Sequence, residues 1–377
     1  MYPGRVSLAC AAPKRHRLAG AAVLHMNVLL SPASPFPLVA ALFLLSLLIV
    51  LSAAAWFTRR LEALCDRLDL SAGMLSILSA LGANIPNYVA SIVAIANGQQ
   101  EVGFGIIIGS NIYNLAIILG ISSLAAPGSH GIHLRLKEKH DVLIITYYAL
   151  AITVTTILAI LLLPRSSFVI PLSTQGVALI ALLLVLILTA GIFGSLVYHI
   201  VKRPHPPHTR TLTKQADPKP VMLAVSLERL IAEVLFALVI ALGGVIVMVR
   251  SGEQLTADIH MPAVLAGLVV LAVATSLPNT VVAVMLVRTG RMAACVEEIF
   301  SSNSINAALG ITLPLLFWRM FLQDHLLLAL DGPFLVLLTL SIIVCIRMRR
   351  LNRIIGLLLL LSYAAWVGLH LILNVRV

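Results

Sequence analysis

The 377-residue sequence has few charged residues, few aromatic residues and only four cysteines. Charged residues make up 11% of the chain, against about a quarter in a soluble protein, so an ordinary soluble domain is excluded. The cysteines are scattered and no two of them form a CxxC pair, which argues against a disulfide framework or a zinc site. The low charge, together with a hydrophobic content of 60%, indicates a polytopic membrane protein.

Motifs of the common catalytic and nucleotide-binding sites are also missing. The chain contains no phosphate-binding Walker loop, no nucleophile elbow and no HExxH zinc motif. Most of the histidines lie in the connections and termini and suggest no catalytic role. We therefore predict that the protein is not an enzyme, has no cofactor and holds no tightly bound metal.

What the chain has instead is ten long apolar runs, each close to the ~20 residues that span a bilayer. The runs, numbered helices 1 to 10, are Pro37–Trp56, Ala72–Asn97, Gly103–Ala125, Val142–Leu163, Ser173–Tyr198, Leu227–Val249, Pro262–Val287, Ala293–Phe317, Leu326–Cys345 and Ile354–Leu373. Spanning segments must satisfy their own backbone hydrogen bonds, and the pattern lacks β-barrel alternation. We predict an all-α polytopic membrane protein with ten transmembrane helices, five in each half.

Positive charge alternates between the connections. From the connection after helix 1 onward, the lysine plus arginine counts are 3, 0, 3, 1, 5, 1, 2, 1, 4 and, at the C-terminus, 1. This is the positive-inside pattern, so the net charge of +11 reflects membrane orientation rather than a nucleic-acid partner. We predict a multi-pass protein of a bacterial inner (cytoplasmic) membrane, in contact with the lipid bilayer, with its C-terminus outside.

The chain divides into an N-terminal extension (1–33), a first half (34–200), a linker (201–225) and a second half (226–377). The extension carries four basic residues, which does not fit an outside N-terminus. We expect either that translation starts at Met26 or that this segment is disordered. The linker is predicted to be cytoplasmic, and its HPPH stretch suggests a proline-rich connection rather than a metal site.

One segment occurs twice, 192 residues apart. Without any gap, nine of the 31 positions from Pro86 to Ala116 recur between Pro278 and Ala308, including a Pro-Asn pair and a Ser-Asn-x-x-Asn group. Chance similarity between apolar helices would repeat leucine, valine and alanine instead. Each half has an odd number of predicted helices, so the two halves are predicted to be related by a pseudo-two-fold axis in the membrane plane.

Polar residues cluster in these repeats. Transporters of this design hold their substrate near the midplane on interrupted helices, and Pro86 and Pro278 are the expected interruptions of helices 2 and 7. On helices 3 and 8, a serine and an asparagine four residues apart share one face. The candidate ion-binding residues are Asn84, Asn87, Ser110, Asn114, Thr275, Ser276, Asn279, Ser302 and Asn306. The alternative is that they bond helices to one another, but their duplication favours a site.

These motifs resemble the sodium/calcium exchanger superfamily of cation antiporters, which includes cation/proton exchangers. LGANIPNYVAS and VATSLPN are similar to its G-T/N-S-x-P-E pattern, and IIGSNIYNLAIILG and FSSNSINAALG to its G-S-N-x-x-N/D pattern. The resemblance also includes RRLEALCDRLDLS and ALGGVIVMVRSGEQL and covers the chain from about Pro37 onward. It implies two inverted five-helix repeats and alternating access, with ions held by helices 2, 3, 7 and 8 while helices 1 and 6 slide across them.

The sequence departs from the family at the acidic positions. Asn87 and Asn279 follow the motif prolines where the family has an acidic residue, and Asn306 stands where exchangers often have aspartate. An amide offers a neutral carbonyl oxygen and cannot titrate. Since Ca²⁺ sites usually include carboxylates among about six to eight oxygens, these residues favour a monovalent ion, as rings of carbonyls do in channels.

One carboxylate could replace those that are missing. Glu298 shares a face of helix 8 with Ser302 and Asn306, at spacings of four and eight residues, which makes it the candidate relocated ligand. The alternative is that it lies near the helix end together with Glu297, accommodated by a neighbouring arginine or interfacial water.

Two other acidic residues are weaker candidates. Glu233 lies inside helix 6, where an ionisable residue is a functional candidate by default. Glu101 is expected to be a solvated residue of an outer connection.

The expected function is that of a secondary-active cation antiporter moving Na⁺, with Ca²⁺, K⁺ or H⁺ as further candidates. Two alternatives stay open: a transport-inactive family member acting as a membrane regulator or scaffold, and a transporter of an anion or neutral solute. Loss of the motif carboxylates favours the regulator, whereas the duplicated asparagines favour transport. The stoichiometry and the oligomeric state do not follow from the sequence.

Overall fold

The structure is a computed structural model that describes residues 35–68, 72–127, 131–163, 172–202, 226–259, 261–318 and 324–375. The expectations for the N-terminal extension and for nearly all of the 201–225 linker, including its HPPH stretch, fall outside these residues.

The described residues form ten helical elements and contain no strand. They are α1 (Phe36–Arg67), α2 (Ala72–Ala83 and Ile85–Ala96), α3 (Gln100–Ala125), α4 (Leu136–Leu161), α5 (Leu172–Lys202), α6 (Leu227–Asp258), α7 (Ala263–Leu265, Ala266–Leu271 and Ala272–Arg288), α8 (Met292–Phe317), α9 (Leu327–Arg347) and α10 (Arg353–Val375). Nine described helices are long and apolar enough to cross a membrane; α2 falls short because it is divided into two segments of 12 residues. The predicted all-α polytopic fold is confirmed.

The two helices that carry the motif prolines differ in how they accommodate them. In α2 the helix stops at Asn84 (φ −95°, ψ 1°), and Pro86 lies in the first turn of the second segment, where its missing N–H leaves no bond unmade. The expected interruption of α7 at Pro278 is not present, since an α-helix runs from Ala272 to Arg288 with Pro278 inside it. Neighbouring helices can compensate for the one lost backbone bond in a packed membrane helix.

Segments of π-helix widen four of the helices. In α3 the π segment is Asn114–Ile118 and in α8 it is Asn306–Thr312, so each begins at the last asparagine of the repeated motif. The other two are Ala266–Leu271 in α7 and Leu327–Asp331 in α9. Because π segments occur frequently at functional sites, the equivalent pair in α3 and α8 points to the repeated motif.

The helices divide into a buried centre and a periphery. The most apolar stretch is 89% buried in α3 and 78% buried in α8, but only 17% buried in α5 and 22% in α10. The large hydrophobic side chains left exposed on the outer helices are those expected to face lipid. The motif helices α2, α3, α7 and α8 therefore meet in the interior of the protein.

Helices α1 and α6 pack against each other more extensively than any other pair of described elements. Glu233 of α6 forms ion pairs with Arg60 of α1 (2.6 Å) and with Arg229 of its own helix (2.9 Å). Glu233, one of the candidates from the sequence, therefore joins α1 to α6 by an ion pair and lies away from the motif residues.

Candidate ion-binding site

Two asparagines that are equivalent in the repeats lie opposite each other and exchange hydrogen bonds. Asn111 of α3 donates from Nδ2 to the backbone oxygen of Asn303 on α8 (3.2 Å), and Asn303 donates in the same way to the backbone oxygen of Asn111 (3.1 Å). Both side chains are buried. A pseudo-two-fold axis between the halves requires such a pair, because the axis relates each hydrogen bond to an equivalent bond in the opposite direction.

The last asparagine of each motif extends this pair. Asn114 donates to the Oδ1 atom of Asn303 (2.8 Å), and Asn306 donates to the Oδ1 atom of Asn111 (3.1 Å). The two bonds are again equivalent in the repeats. Asn111 and Asn303 were not among the residues proposed from the sequence, although both recur in the motif. Each of the two side chains both donates and accepts a hydrogen bond across the α3–α8 contact, so together they join α3 to α8.

Asn84, at the break in α2, connects three of the four central helices. Its Nδ2 atom donates to the backbone oxygen of Ala80 (2.7 Å) and to Oγ of Ser302 on α8 (2.8 Å). Its Oδ1 atom accepts from Asn279 of α7 (2.8 Å) and from Asn87 of α2 (3.3 Å). The helix break therefore directs a side chain into the space between α7 and α8.

Asn87 closes the network between the two halves. Its Nδ2 atom lies 3.4 Å from Oδ1 of Asn306 on α8, in addition to its bond to Asn84. Seven asparagines from α2, α3, α7 and α8 are thus joined by hydrogen bonds of their side chains. Five of the proposed site residues belong to this set, namely Asn84, Asn87, Asn114, Asn279 and Asn306.

Several oxygens in this network have no hydrogen-bond partner among the described residues. They are Asn87 Oδ1, Asn114 Oδ1, Asn279 Oδ1, Ser276 Oγ and Glu298 Oε2, and each is buried. An unpaired buried acceptor costs about 1–3 kcal/mol, so five of them around one network need a reason. Four of these atoms can only accept, whereas the Ser276 hydroxyl can also donate.

Glu298 adds a carboxyl group at the edge of the network. Its Oε1 atom accepts a hydrogen bond from Ser302 Oγ (2.9 Å), and the same hydroxyl accepts from Asn84. The carboxylate is therefore one hydroxyl away from the central amides, and its second oxygen has no partner. This arrangement differs from a solvated position at a helix end.

The remaining candidates are used differently. Thr275 donates to the backbone oxygens of Leu271 and Ala272 on its own helix, and Ser110 Oγ lies 3.5 Å from the oxygen of Ala272. Both are buried, but neither joins the amide network by a described side-chain bond. Outside the network, the expectation that Glu101 lies solvated in a connection is wrong: Glu101 lies in the first turn of α3 and accepts from the backbone N–H of Asp324, before α9.

The described residues contain no group of three histidine, cysteine, aspartate or glutamate side chains that could hold a metal. Among described side chains, the site therefore offers amide, hydroxyl and backbone oxygens with a single carboxylate. This donor set is typical of weak, reversible binding of hard cations rather than of a structural metal centre.

Comparison with known proteins bears on the family and on the fold. The family model of the sodium/calcium exchanger protein matches residues 38–194 and 230–371, which are the two halves. The chain belongs to the sodium/calcium exchanger family. The solved structures of the sodium-calcium exchanger NCX_Mj (TM-score 0.55, 19% identity, 89% of this chain and 99% of that one) and of YfkE (TM-score 0.61, 16% identity, 93% and 96%) share its fold. Ten helices in two inverted five-helix repeats are thereby confirmed.

Curated relatives match only in short segments. CaxA of Alkalimonas amylolytica is 40% identical over 60 residues, which is 16% of this chain and 18% of that protein. Inner membrane protein YrbG of Escherichia coli (strain K12) is 35% identical over 60 residues, again 16% and 18%. Cation/calcium exchanger 5 of Arabidopsis thaliana is 35% identical over 94 residues, or 24% and 17%. The matched segments span less than a fifth of each relative.

Proposed function

We propose that the protein is a secondary-active cation antiporter whose central site selects monovalent cations. The observation that carries this proposal is the set of five buried, unpartnered oxygens in and beside the amide network of α2, α3, α7 and α8. Asn87, Asn114 and Asn279 would supply carbonyl oxygens, Ser276 a hydroxyl and Glu298 a carboxylate oxygen. Ser302 would orient Glu298 through their hydrogen bond, and Thr275 and Ser110 would line the site from α7 and α3.

Charge balance supports the monovalent preference. The amides are neutral, so Glu298 is the one described carboxylate joined to the network. One Na⁺ or K⁺ would neutralise it, whereas Ca²⁺ would leave an uncompensated positive charge in a buried site. Uncompensated buried charge costs several kcal/mol even after the surroundings relax. Membership of the family, and the name of the Arabidopsis relative, make Ca²⁺ the natural competitor.

The packing also supports alternating access. At the α3–α7 crossing the two backbones touch: a Cβ atom at Gly105 would lie 2.8 Å from the oxygen of Val264, and one at Gly109 would overlap the carbonyl of Leu268. Toward the other side of the protein, by contrast, a small cavity is lined by residues of α2, α5 and α8, among them Ala80, Phe193 and Ser301. The positive-inside pattern would place the positively charged connections in the cytoplasm. The tightly packed α3–α7 crossing would then face outward, and the cavity would face the cytoplasmic side of a bacterial inner membrane. This would be an inward-facing state.

Ion flux in proteoliposomes tests the proposed antiport. Uptake of radiolabelled Na⁺ and Ca²⁺ would be measured in parallel under imposed Na⁺, K⁺ and H⁺ gradients. We expect monovalent counterflow that needs a cation on the opposite side. Gradient-driven Ca²⁺ uptake at equal or higher rates would contradict the monovalent preference. Absence of any cation flux in folded protein would contradict antiport and favour a regulator or a transporter of another solute.

The inward-facing assignment has its own test. In a cysteine-free variant, Ser301→Cys is expected to react with a membrane-impermeant thiol reagent from the cytoplasmic side of oriented vesicles. The matched control is Ser304→Cys on the same helix, which should not react because Ser304 is buried. Labelling of both positions from the outer side would overturn the assignment.

A further inference from the structure

A groove lies between α1 and α6 on the surface of the protein. Its volume is about 320 Å³, and its lining residues are Leu48, Ile49, Ser52, Ala53 and Trp56 of α1 and Ile240 of α6. Leu48 is 61% exposed, so the groove opens to the side of the protein, where lipid surrounds a membrane helix. Apart from the Ser52 hydroxyl the lining is apolar, which favours a hydrocarbon chain over a polar solute.

One end of the groove leads to a charged cluster. On α1, Arg60 lies one turn, or about 6 Å, beyond Trp56 of the groove. On α6, Glu233 lies two turns before Ile240, and it pairs with Arg60 through Oε2 (2.6 Å) and with Arg229 through Oε1 (2.9 Å). The apolar groove and the charged cluster therefore follow one another along the same pair of helices.

An aromatic pair lies between the groove and the cluster. The ring of Trp56 meets the ring of Phe236 edge-on, with their centroids 5.9 Å apart, and Phe236 is 59% exposed. Tryptophan is enriched where the hydrocarbon core of a membrane meets the headgroup region. The aromatic pair therefore indicates that the charged cluster lies at the level of the lipid headgroups.

The cluster has an excess of positive charge. Two guanidinium groups, those of Arg60 and Arg229, face the single carboxylate of Glu233. The side chain of Arg229 is 69% exposed and that of Glu233 only 17%, so the cluster presents a cation to its surroundings. Arg59 and Glu228 are both exposed beside it and offset each other. One positive charge of the cluster is thus left for a partner outside the protein.

We propose that the groove and the charged cluster together bind one anionic phospholipid. An acyl chain lies in the groove, and the phosphate contacts Arg229 and Arg60. A lipid with net negative charge neutralises the excess guanidinium, whereas a zwitterionic lipid brings its own cation. Basic pockets between transmembrane helices bind anionic headgroups on the cytoplasmic side, which is the side that the positive-inside pattern predicts for this end of α1. The proposal goes beyond cation antiport and does not depend on it.

Trp56, which lines the groove, provides a reporter for the bound lipid. Bromine atoms on an acyl chain quench the fluorescence of an indole that they contact. Trp318 is 41% exposed and is replaced in a Trp318→Phe background, whereas Trp366 is only 3% exposed and gives a constant signal. The purified full-length protein would be reconstituted in phosphatidylcholine vesicles that contain equal fractions of either brominated phosphatidylglycerol or brominated phosphatidylcholine.

We expect brominated phosphatidylglycerol to quench the Trp56 fluorescence more strongly than brominated phosphatidylcholine. The ratio of the two binding constants should be about fivefold, the factor that one basic residue gives near an anionic lipid. Trp56→Phe should remove the difference between the two lipids. Equal quenching by the two lipids, or no quenching of Trp56 by either, would overturn the proposal. This comparison needs no substitution in the charged cluster and measures no ion flux, so its outcome is independent of the proposed antiport.

Three variants test whether the charged cluster causes the preference. Arg229→Gln should lower the ratio to about twofold or less, and Arg229→Lys should keep most of it because the charge is retained. The matched control is Arg347→Gln, an exposed arginine in the last turn of α9, which should leave the ratio unchanged. A ratio that Arg229→Gln does not change, or an equal loss in Arg347→Gln, would show that the cluster is not the site.

Discussion

The α3–α7 crossing and the α8–α2 crossing occupy equivalent places in the two repeats, but they are packed differently. At the first, Gly105 and Gly109 allow the backbones of α3 and α7 to touch. Their equivalents on α8, 192 residues later, are Glu297 and Ser301, and Ser301 lines a small cavity together with residues of α2 and α5. An inverted repeat can therefore be symmetric in its motif and asymmetric in its packing, as the inward-facing state proposed above requires.

The residues of the central network likewise include a symmetric part and an asymmetric part. The bonds among Asn111, Asn114, Asn303 and Asn306 obey the two-fold relation. Glu298 does not, since its equivalent in the first half is the buried Ile106. The symmetric amides join the two halves. Glu298, the one described carboxylate joined to the network, lies on α8, which belongs to the less tightly packed α8–α2 crossing.

The largest expected effect comes from removing that carboxylate. Glu298→Gln should weaken Na⁺ binding roughly 100-fold, because loss of one partner from a buried ionic contact costs about 3 kcal/mol. Isothermal titration calorimetry of the purified protein measures this directly. The matched control is Glu297→Gln, one residue away on the same helix, which should change the affinity by less than about twofold. Equal losses in both variants would mean that Glu298 has no special role.

Placing carboxylates at the positions where the family has acidic residues should change the preference between monovalent and divalent cations. Asn87→Glu with Asn279→Glu introduces two carboxylates at equivalent positions of the central network. We expect Ca²⁺ affinity to rise by about tenfold or more, because carboxylates are the usual ligands of Ca²⁺. An unchanged Ca²⁺ affinity in a folded double variant would count against the assigned site.

The tight crossing can be broken without touching the ligands. Gly109→Ala should lower the free energy of unfolding by about 1–3 kcal/mol, because the new Cβ atom overlaps the Leu268 backbone and the helices must separate. Thermal unfolding in detergent measures the loss. Gly243→Ala on α6 is the control, since nothing lies within 4 Å of its new Cβ atom. Equal stability of the two variants would refute close contact at this crossing.

The symmetric amides should give the smallest effects and the most similar ones. Asn111→Ala and Asn303→Ala each leave one buried amide N–H without its acceptor, which should cost about 1–2 kcal/mol in a membrane protein. Each side chain donates to the other residue's backbone oxygen, which alanine keeps, so the double variant should lose about the sum of the single losses. Clearly unequal single losses would show that the reciprocal pair is not the contact that the structure describes.

The ten helices and the meeting of the repeated motifs could be predicted from the sequence. The length of the apolar runs, the alternation of positive charge and the internal repeat can each be recognised along the chain without knowledge of its contacts. The sequence also placed Glu298 on the face of Ser302, which follows from helical spacing alone. It did not predict that α7 continues through Pro278, since whether a proline breaks a helix depends on how its neighbours compensate for the lost bond. The pairing of Glu233 with Arg60 and the reciprocal bonds of Asn111 and Asn303 join residues distant in sequence, so spacing carried no signal of them.

Anomalous diffraction from crystals soaked separately in Tl⁺ and Sr²⁺ tests the central claim most directly, since it reports both the position and the valence of the bound ion. The account predicts a Tl⁺ peak within coordination distance of Glu298 Oε2 and of the amide oxygens of Asn87 and Asn279, with no Sr²⁺ peak there at the same concentration. A Sr²⁺ peak among these residues in the absence of a Tl⁺ peak would contradict it.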